Sequence, residues 1–214
     1  EARTHGRVLV HVPATAPPWP LLVGFHGYAE TAGDHMDALQ RIPGTAAWLL
    51  VAVQALHRFY TRQQRVVASW MTREDRELAI GDNIEYVGRV LDRIKATYQT
   101  AGPLVFSGFS QGAAMAYRAA AHYRAGALII LAGDVPPDAL QHGPGSLPPV
   151  LIGRGTRDDW YTQAKENADR EALMRIGARV EVCVFEGGHE WTDPFRAAAA
   201  SVLGAVQRGE IAGP

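Results

Sequence analysis

The feature that most constrains this chain is an alternation. Short, almost wholly apolar runs take turns with stretches whose apolar residues recur every three or four positions. Arg7 to Val12 alternates like a half-buried strand, whereas Leu21 to Phe25, Trp48 to Val53, Leu104 to Phe106, Ala127 to Leu131, Val150 to Ile152 and Val180 to Phe185 are near-continuous runs. Runs of that second kind suit strands covered on both faces, as in a parallel sheet. Between them, Ile80, Ile84, Val87, Val90, Leu91 and Ile94 mark one apolar helical face. Gln111 to His122 is Ala-rich and helix-prone. Tyr161 to Ile176 has a helical pattern that stops at Gly177, and Phe195 to Val206 follows Pro194 at a helix start. Strands alternating with helices predict a three-layer α/β sandwich with a mostly parallel central sheet and right-handed crossovers.

A chain of 214 residues suits one substantial domain, here taken as 1–214. Two Pro-rich stretches, Pro13 to Pro20 and Pro136 to Pro149, read as surface loops, and Gln54 to Arg73 reads as a long irregular loop of the kind that often carries function. The stretch between Leu131 and Val150 is too short for a large cap domain, so an open site is expected. Twenty-one Lys and Arg against 22 Asp and Glu leave a formal net charge of −1, which supplies no electrostatic reason to expect nucleic acid or an anionic membrane as partner. No apolar run is long enough for a spanning helix. One cysteine, Cys183, excludes an internal disulfide and a cysteine-based zinc cluster, and fits a reducing, cytoplasmic compartment. Within its strand it reads as a small core residue. The opening Glu1-Ala2-Arg3-Thr4 shows neither an initiator Met nor a signal-like apolar region, which leaves room for a cleaved leader.

The chemistry concentrates in Gly108-Phe109-Ser110-Gln111-Gly112, a G-x-S-x-G pattern between a strand-like run and a helix. That context demands a sharp turn, which lifts a serine into a strained and exposed position. A following helix N-terminus offers unpaired N–H groups where an oxyanion forms. A serine hydroxyl needs a base. Of the histidines after Ser110, His122 lies inside the following helix and His142 in a Pro/Gly loop. His189, in Gly187-Gly188-His189-Glu190 after the last strand, stands where the chain order Ser…Asp…His requires it. The acid belongs after Val150 to Ile152, where Asp158 and Asp159 are both candidates; residue physics alone leaves the choice between them open. Two N–H donors for the oxyanion are expected from Gln111 and from Tyr28 in His26-Gly27-Tyr28-Ala29. Tyr60, Phe59 and Trp70 are candidates for the wall of a substrate pocket. The series Gly153 to Asp158 lacks the third glycine of a dinucleotide fingerprint, and neither a zinc-protease nor a P-loop pattern occurs, so no cofactor and no metal are expected.

Taken together, Gly24-Phe25-His26-Gly27-Tyr28, Gly108-Phe109-Ser110-Gln111-Gly112, Gly155-Thr156-Arg157-Asp158 and Gly188-His189-Glu190 resemble the carboxylesterase/phospholipase family of α/β-hydrolases, which includes acyl-protein thioesterase-like enzymes. The resemblance runs from about Leu21 to Trp191 and implies Ser110 as nucleophile, His189 as base and, by its G-x-x-D pattern, Asp158 as acid. It also implies a serine carboxylesterase acting on small-molecule esters without a cofactor. Rival expectations keep the same residues but cleave thioesters or lysophospholipids, or treat the fold as a non-catalytic binding scaffold. Oligomeric state, monomer or homodimer, is left open.

Overall fold

The computed structural model describes residues 4–143, 145–211 and 213. The initial Glu1 to Arg3 therefore lies outside the described residues. Nine strands and five helices follow one another as β1 (Arg7–His11), β2 (Trp19–Phe25), α1 (Ala32–Gln40), β3 (Leu49–Gln54), β4 (His57–Tyr60), β5 (Val66–Ser69), α2 (Arg76–Thr97), β6 (Thr100–Phe109), α3 (Gln111–His122), β7 (Ala127–Leu131), β8 (Val150–Gly155), α4 (Gln163–Arg175), β9 (Val180–Phe185) and α5 (Asp193–Gln207). Seven of the strands form one sheet in the order β1-β3-β2-β6-β7-β8-β9, parallel except for the antiparallel edge strand β1.

Helices cover both faces. Gly24 of β2 abuts His35 and Leu39 of α1, and Gly153 of β8 abuts Phe195 of α5. On the opposite face α3 packs over β2, β6 and β7, and Arg154, one residue on from Gly153, pairs with Glu166 of α4. Two-sided cover explains why β3, β7 and β8 are buried along their whole lengths and read as unbroken apolar runs. Between β7 and β8 the described residues make a short 3-10 turn, Pro137–His142, and no large cap is evident among them.

Strand order reverses between β2 and β6. From β2 the chain crosses by α1 to β3 on one side; from β3 it returns by α2 to β6 on the other. Loops leaving the carboxyl ends of β2 and β6 diverge at such a point and leave a crevice between them.

Three expectations change. The supposed irregular loop from Gln54 to Arg73 contains the antiparallel hairpin β4–β5, with Phe59 opposite Val67 and Tyr60 opposite Val66. Trp19 and Pro20 begin β2 rather than ending a loop. The short run at Leu104 to Phe106 is the middle of a ten-residue strand, hidden from periodicity by Gly102 and Pro103. Helix α1 had no strong apolar stripe to announce it. Its start is a capping box: the Asp34 N–H donates to Thr31 Oγ1 and the Thr31 N–H donates to the Asp34 carboxylate, at 3.2 and 2.8 Å.

Candidate active site

Ser110 sits between the last residue of β6 and the first of α3, at φ 53° and ψ −118°. A non-glycine residue there is strained, and the surrounding hydrogen bonds hold it: the Ser110 N–H donates to the Leu131 carbonyl at 2.9 Å, and the Ser110 carbonyl accepts from the Ala113 N–H at 3.0 Å. Gly112 makes the tight approach of α3 to β2 possible, because a Cβ there would collide with the Phe25 carbonyl.

The structure brings three of the expected residues into a hydrogen-bonded chain. The Ser110 hydroxyl lies 2.8 Å from His189 Nε2, and His189 Nδ1 lies 2.8 Å from Asp158 Oδ2. A carboxylate can only accept, so Nδ1 carries the proton and Nε2 is left to accept from the serine. The other carboxylate oxygen of Asp158 accepts the Trp160 and Tyr161 N–H groups, both at 2.8 Å. Asp158 is buried while Asp159 is exposed, which resolves the geometric choice between neighbours: only Asp158 reaches His189. Two backbone hydrogen bonds zip the loops after β8 and β9 together, Thr156 N–H to the Phe185 carbonyl and Arg157 N–H to the Gly187 carbonyl. Gly155 permits this, since a Cβ there would strike the carbonyls of Gly187 and Gly188. Phe109 packs against the His189 ring at 5.0 Å between centroids.

The second half of the site is the turn Gly27-Tyr28-Ala29-Glu30. Glu30 N–H donates to the Gly27 carbonyl at 3.3 Å, and Ala29 takes φ 59°, as the third residue of a type II turn must. His26 orients the turn. Its Nε2 accepts the Ala55 N–H at 3.0 Å, which places the ring proton on Nδ1, and Nδ1 donates to the Gly27 carbonyl at 2.7 Å. The N–H of the same trans peptide, that of Tyr28, then points the opposite way. Burial holds the His26 pKa below the ordinary histidine value and keeps this neutral arrangement. The N–H groups of Gly27, Ala29 and Glu30 are all taken, by the Glu30 carboxylate, the Ala68 carbonyl and the Gly27 carbonyl; among the described residues, those of Tyr28 and Gln111 have no protein acceptor.

Hairpin β4–β5 joins these pieces. Ala68 exchanges backbone hydrogen bonds with Ala29 and Glu30, both at 3.0 Å. Two residues further on, the Gln111 side chain accepts the Trp70 N–H at 2.9 Å and donates to the Met71 carbonyl at 3.0 Å. Trp70 is wholly buried, and its indole N–H donates to the His26 carbonyl at 2.8 Å. This corrects the expectation that Trp70 walls a substrate pocket: it supports the turn from beneath and has no face open to a ligand. Tyr60, by contrast, is 68% exposed, and its neighbour Phe59 stacks on Tyr28 at 5.5 Å. Sequence pattern alone gives no sign of Glu30, of the Gln111 side chain, or of Gln54, whose side-chain oxygen accepts the Ala32 N–H at 2.8 Å. A capping-box pattern at Thr31 and Asp34 could have located the turn; nothing local marks the others.

Cys183 is half-buried, with its thiol 3.9 Å from the Pro194 carbonyl, and burial pushes its pKa up, away from a reactive thiolate. A hollow of about 620 Å³ opens at the far end of the sheet, among Trp19, Lys95, Thr100, Arg124 and Ile211, and shares no residue with the Ser110 crevice. Among the described residues no helix is long and apolar enough to cross a membrane.

The seven-stranded sheet, its switch point and the strand–serine–helix elbow define the α/β-hydrolase fold. Solved structures of esterases and thioesterases share it. Acyl-protein thioesterase 2 of Zea mays superposes with a TM-score of 0.74 at 18% identity, over 95% of this chain and 100% of that one. Esterase PE8 gives 0.72 at 22%, over 96% and 100%. A phospholipase/carboxylesterase of Dyadobacter fermentans gives 0.69 at 21%, over 95% and 99%. No family model and no curated protein sequence matches the chain.

Proposed function

We propose that this protein is a serine hydrolase of carboxylic esters. The observation that carries the reading is the unbroken chain Asp158–His189–Ser110, ending on a strained hydroxyl beside two unpaired amides. Ser110 Oγ attacks the ester carbonyl while His189 Nε2 takes its proton. Asp158 holds the imidazole in the required tautomer and stabilises the imidazolium. Negative charge developing on the carbonyl oxygen is met by the N–H groups of Tyr28 and Gln111, each of which contributes roughly 3–4 kcal/mol to the transition state in comparable sites. Protonated His189 passes its proton to the departing alkoxide, and the alcohol leaves. Water then enters, gives a proton to the same nitrogen and attacks the acyl carbon; the bond to Ser110 Oγ breaks, the serine takes that proton back from His189, and the carboxylic acid departs. Phe59, stacked on Tyr28, offers an aromatic surface for the apolar part of the ester, whereas Tyr60, the next residue of the same strand, faces the other way and does not join that wall.

The thioesterase and lysophospholipase readings share every one of these steps and differ only in the leaving group, so a panel of short and long p-nitrophenyl esters, thioesters and lysophospholipids assigns the substrate class. Ser110→Ala is expected to lower kcat on the best ester by about 10⁶. It should also abolish labelling by a fluorophosphonate probe. A variant retaining most of the turnover, or a folded wild-type protein inert to both probe and panel, would overturn the reading in favour of a binding scaffold.

A further inference from the structure

Glu30 belongs to no part of the reaction just described, yet it stands at the centre of the oxyanion turn. Its carboxylate accepts the Gly27 N–H at 2.7 Å, while its own N–H donates to the Gly27 carbonyl at 3.3 Å. The four-residue turn is thus closed twice, once through backbone and once through side chain. It needs closing, because Ala29 is held at φ 59°, a conformation that costs a non-glycine residue about 1–2 kcal/mol. Were the carboxylate absent, the Gly27 N–H would be open to the crevice beside that of Tyr28, and the turn could relax by rotating the peptide between them. With it present, one amide is offered and its direction is set. Glu30 also lies within electrostatic reach of His189.

Resting on the ester-hydrolase reading, we propose that Glu30 is a positioning residue for the oxyanion hole: its carboxylate aims the Tyr28 N–H by occupying the Gly27 N–H. The charged groups facing Glu30 are Asp34 at the start of α1, Arg65 in the β4–β5 turn and His189 after β9. Arg65 pairs with Asp34, and His189 pairs with Asp158. Burial raises the Glu30 pKa, while the Gly27 N–H, Arg65 and His189 favour its ionised form.

Two variants separate the roles. Glu30→Ala removes the acceptor and is expected to lower kcat about 10- to 100-fold with KM within about twofold, because the amide it aims acts on the transition state. Glu30→Gln keeps an oxygen for the Gly27 N–H and loses the charge. Its kcat at the optimum is expected within about threefold of wild type. Rescue by glutamine, with KM unmoved, separates a loss of aim from a loss of folding. Should Glu30→Ala fail to fold, as judged by its melting curve, Glu30→Asp takes its place: the shorter side chain withdraws the carboxylate from the Gly27 N–H, and the same loss of kcat is expected. Full activity in folded Glu30→Ala or Glu30→Asp, or a Glu30→Gln variant as impaired as they are, would overturn the proposal. Fluorophosphonate labelling and turnover of the wild type are read in parallel; their absence would instead sink the hydrolase reading, so the two failures are distinct.

Discussion

The two halves of the crevice are built in different ways. On the proposed acid–base side, Asp158 is fixed by amides two and three residues further along, and its loop is zipped to that of His189 by backbone hydrogen bonds between adjacent strand ends. On the proposed oxyanion side, the holding bonds join segments far apart in the chain: Trp70 to His26 spans 44 residues and Gln111 to Trp70 spans 41. The first half is made of local turns at the ends of β8 and β9. The second is a three-way joint of turn, hairpin and elbow. A local turn tolerates change elsewhere in the protein, whereas a joint transmits it, so damage to the hairpin should be felt at the oxyanion and hardly at the base.

Breaking the acid–base side gives the largest expected effect in the comparison. Asp158→Asn should lower kcat by about 10⁴, as a wrong histidine tautomer does in comparable triads. Asp159→Asn should leave kcat within about twofold, because its exposed side chain makes no contact with His189. Parallel kinetics on one ester test the pair, and a crippled Asp159 variant beside an active Asp158 variant would reverse the assignment.

A smaller effect is expected at the joint. Gln111→Ala keeps the backbone N–H and removes only the side-chain clamp on Trp70 and Met71. Misplacing the elbow against the hairpin by about 1 Å should cost kcat roughly 10²-fold, with the pH profile of kcat/KM unchanged. A shifted profile would show that the two halves are not separable.

The smallest effect concerns stability. His35 of α1 is fully buried beneath Gly24, neither ring nitrogen has a partner among the described residues, and burial lowers its pKa to about 3. The unfolded chain binds a proton there below about pH 6.5 and the folded one does not, so stability present above that pH is lost as pH falls toward 3. Between pH 7 and pH 5 the loss through this one residue is about 2 kcal/mol. Urea titrations of His35→Leu at the two pH values should show that much less acid sensitivity than wild type. His26, also held neutral by burial, remains in both proteins and cancels from the difference.

The same contrast governs what could be read from the chain. Ser110, His189 and the choice of two neighbouring aspartates were visible because each sits at a strand end marked by glycines. Tyr28 and Gln111 followed from their places in the same turns. Hairpin β4–β5 was not visible, since its strands have four residues each and carry Arg58 and Ser69 where an apolar alternation would be expected. Trp70 was misjudged because aromatic character does not distinguish a ligand wall from a buried support; its hydrogen bond to His26 does.

By itself the sequence determined the layered α/β class, the order along the chain of the seven strands of the main sheet and of four of the helices, and the identity of the serine and histidine that meet at the crevice. These depend on local periodicity and on turns of a few residues, where the physics is carried by neighbours in the chain. Only the tertiary structure decided which aspartate reaches the histidine, which amides remain unpaired and how Glu30, Ala68, Trp70 and Gln111 hold them. Those outcomes depend on which distant groups occupy each other's hydrogen bonds, and that accounting closes only when the sheet has brought them together.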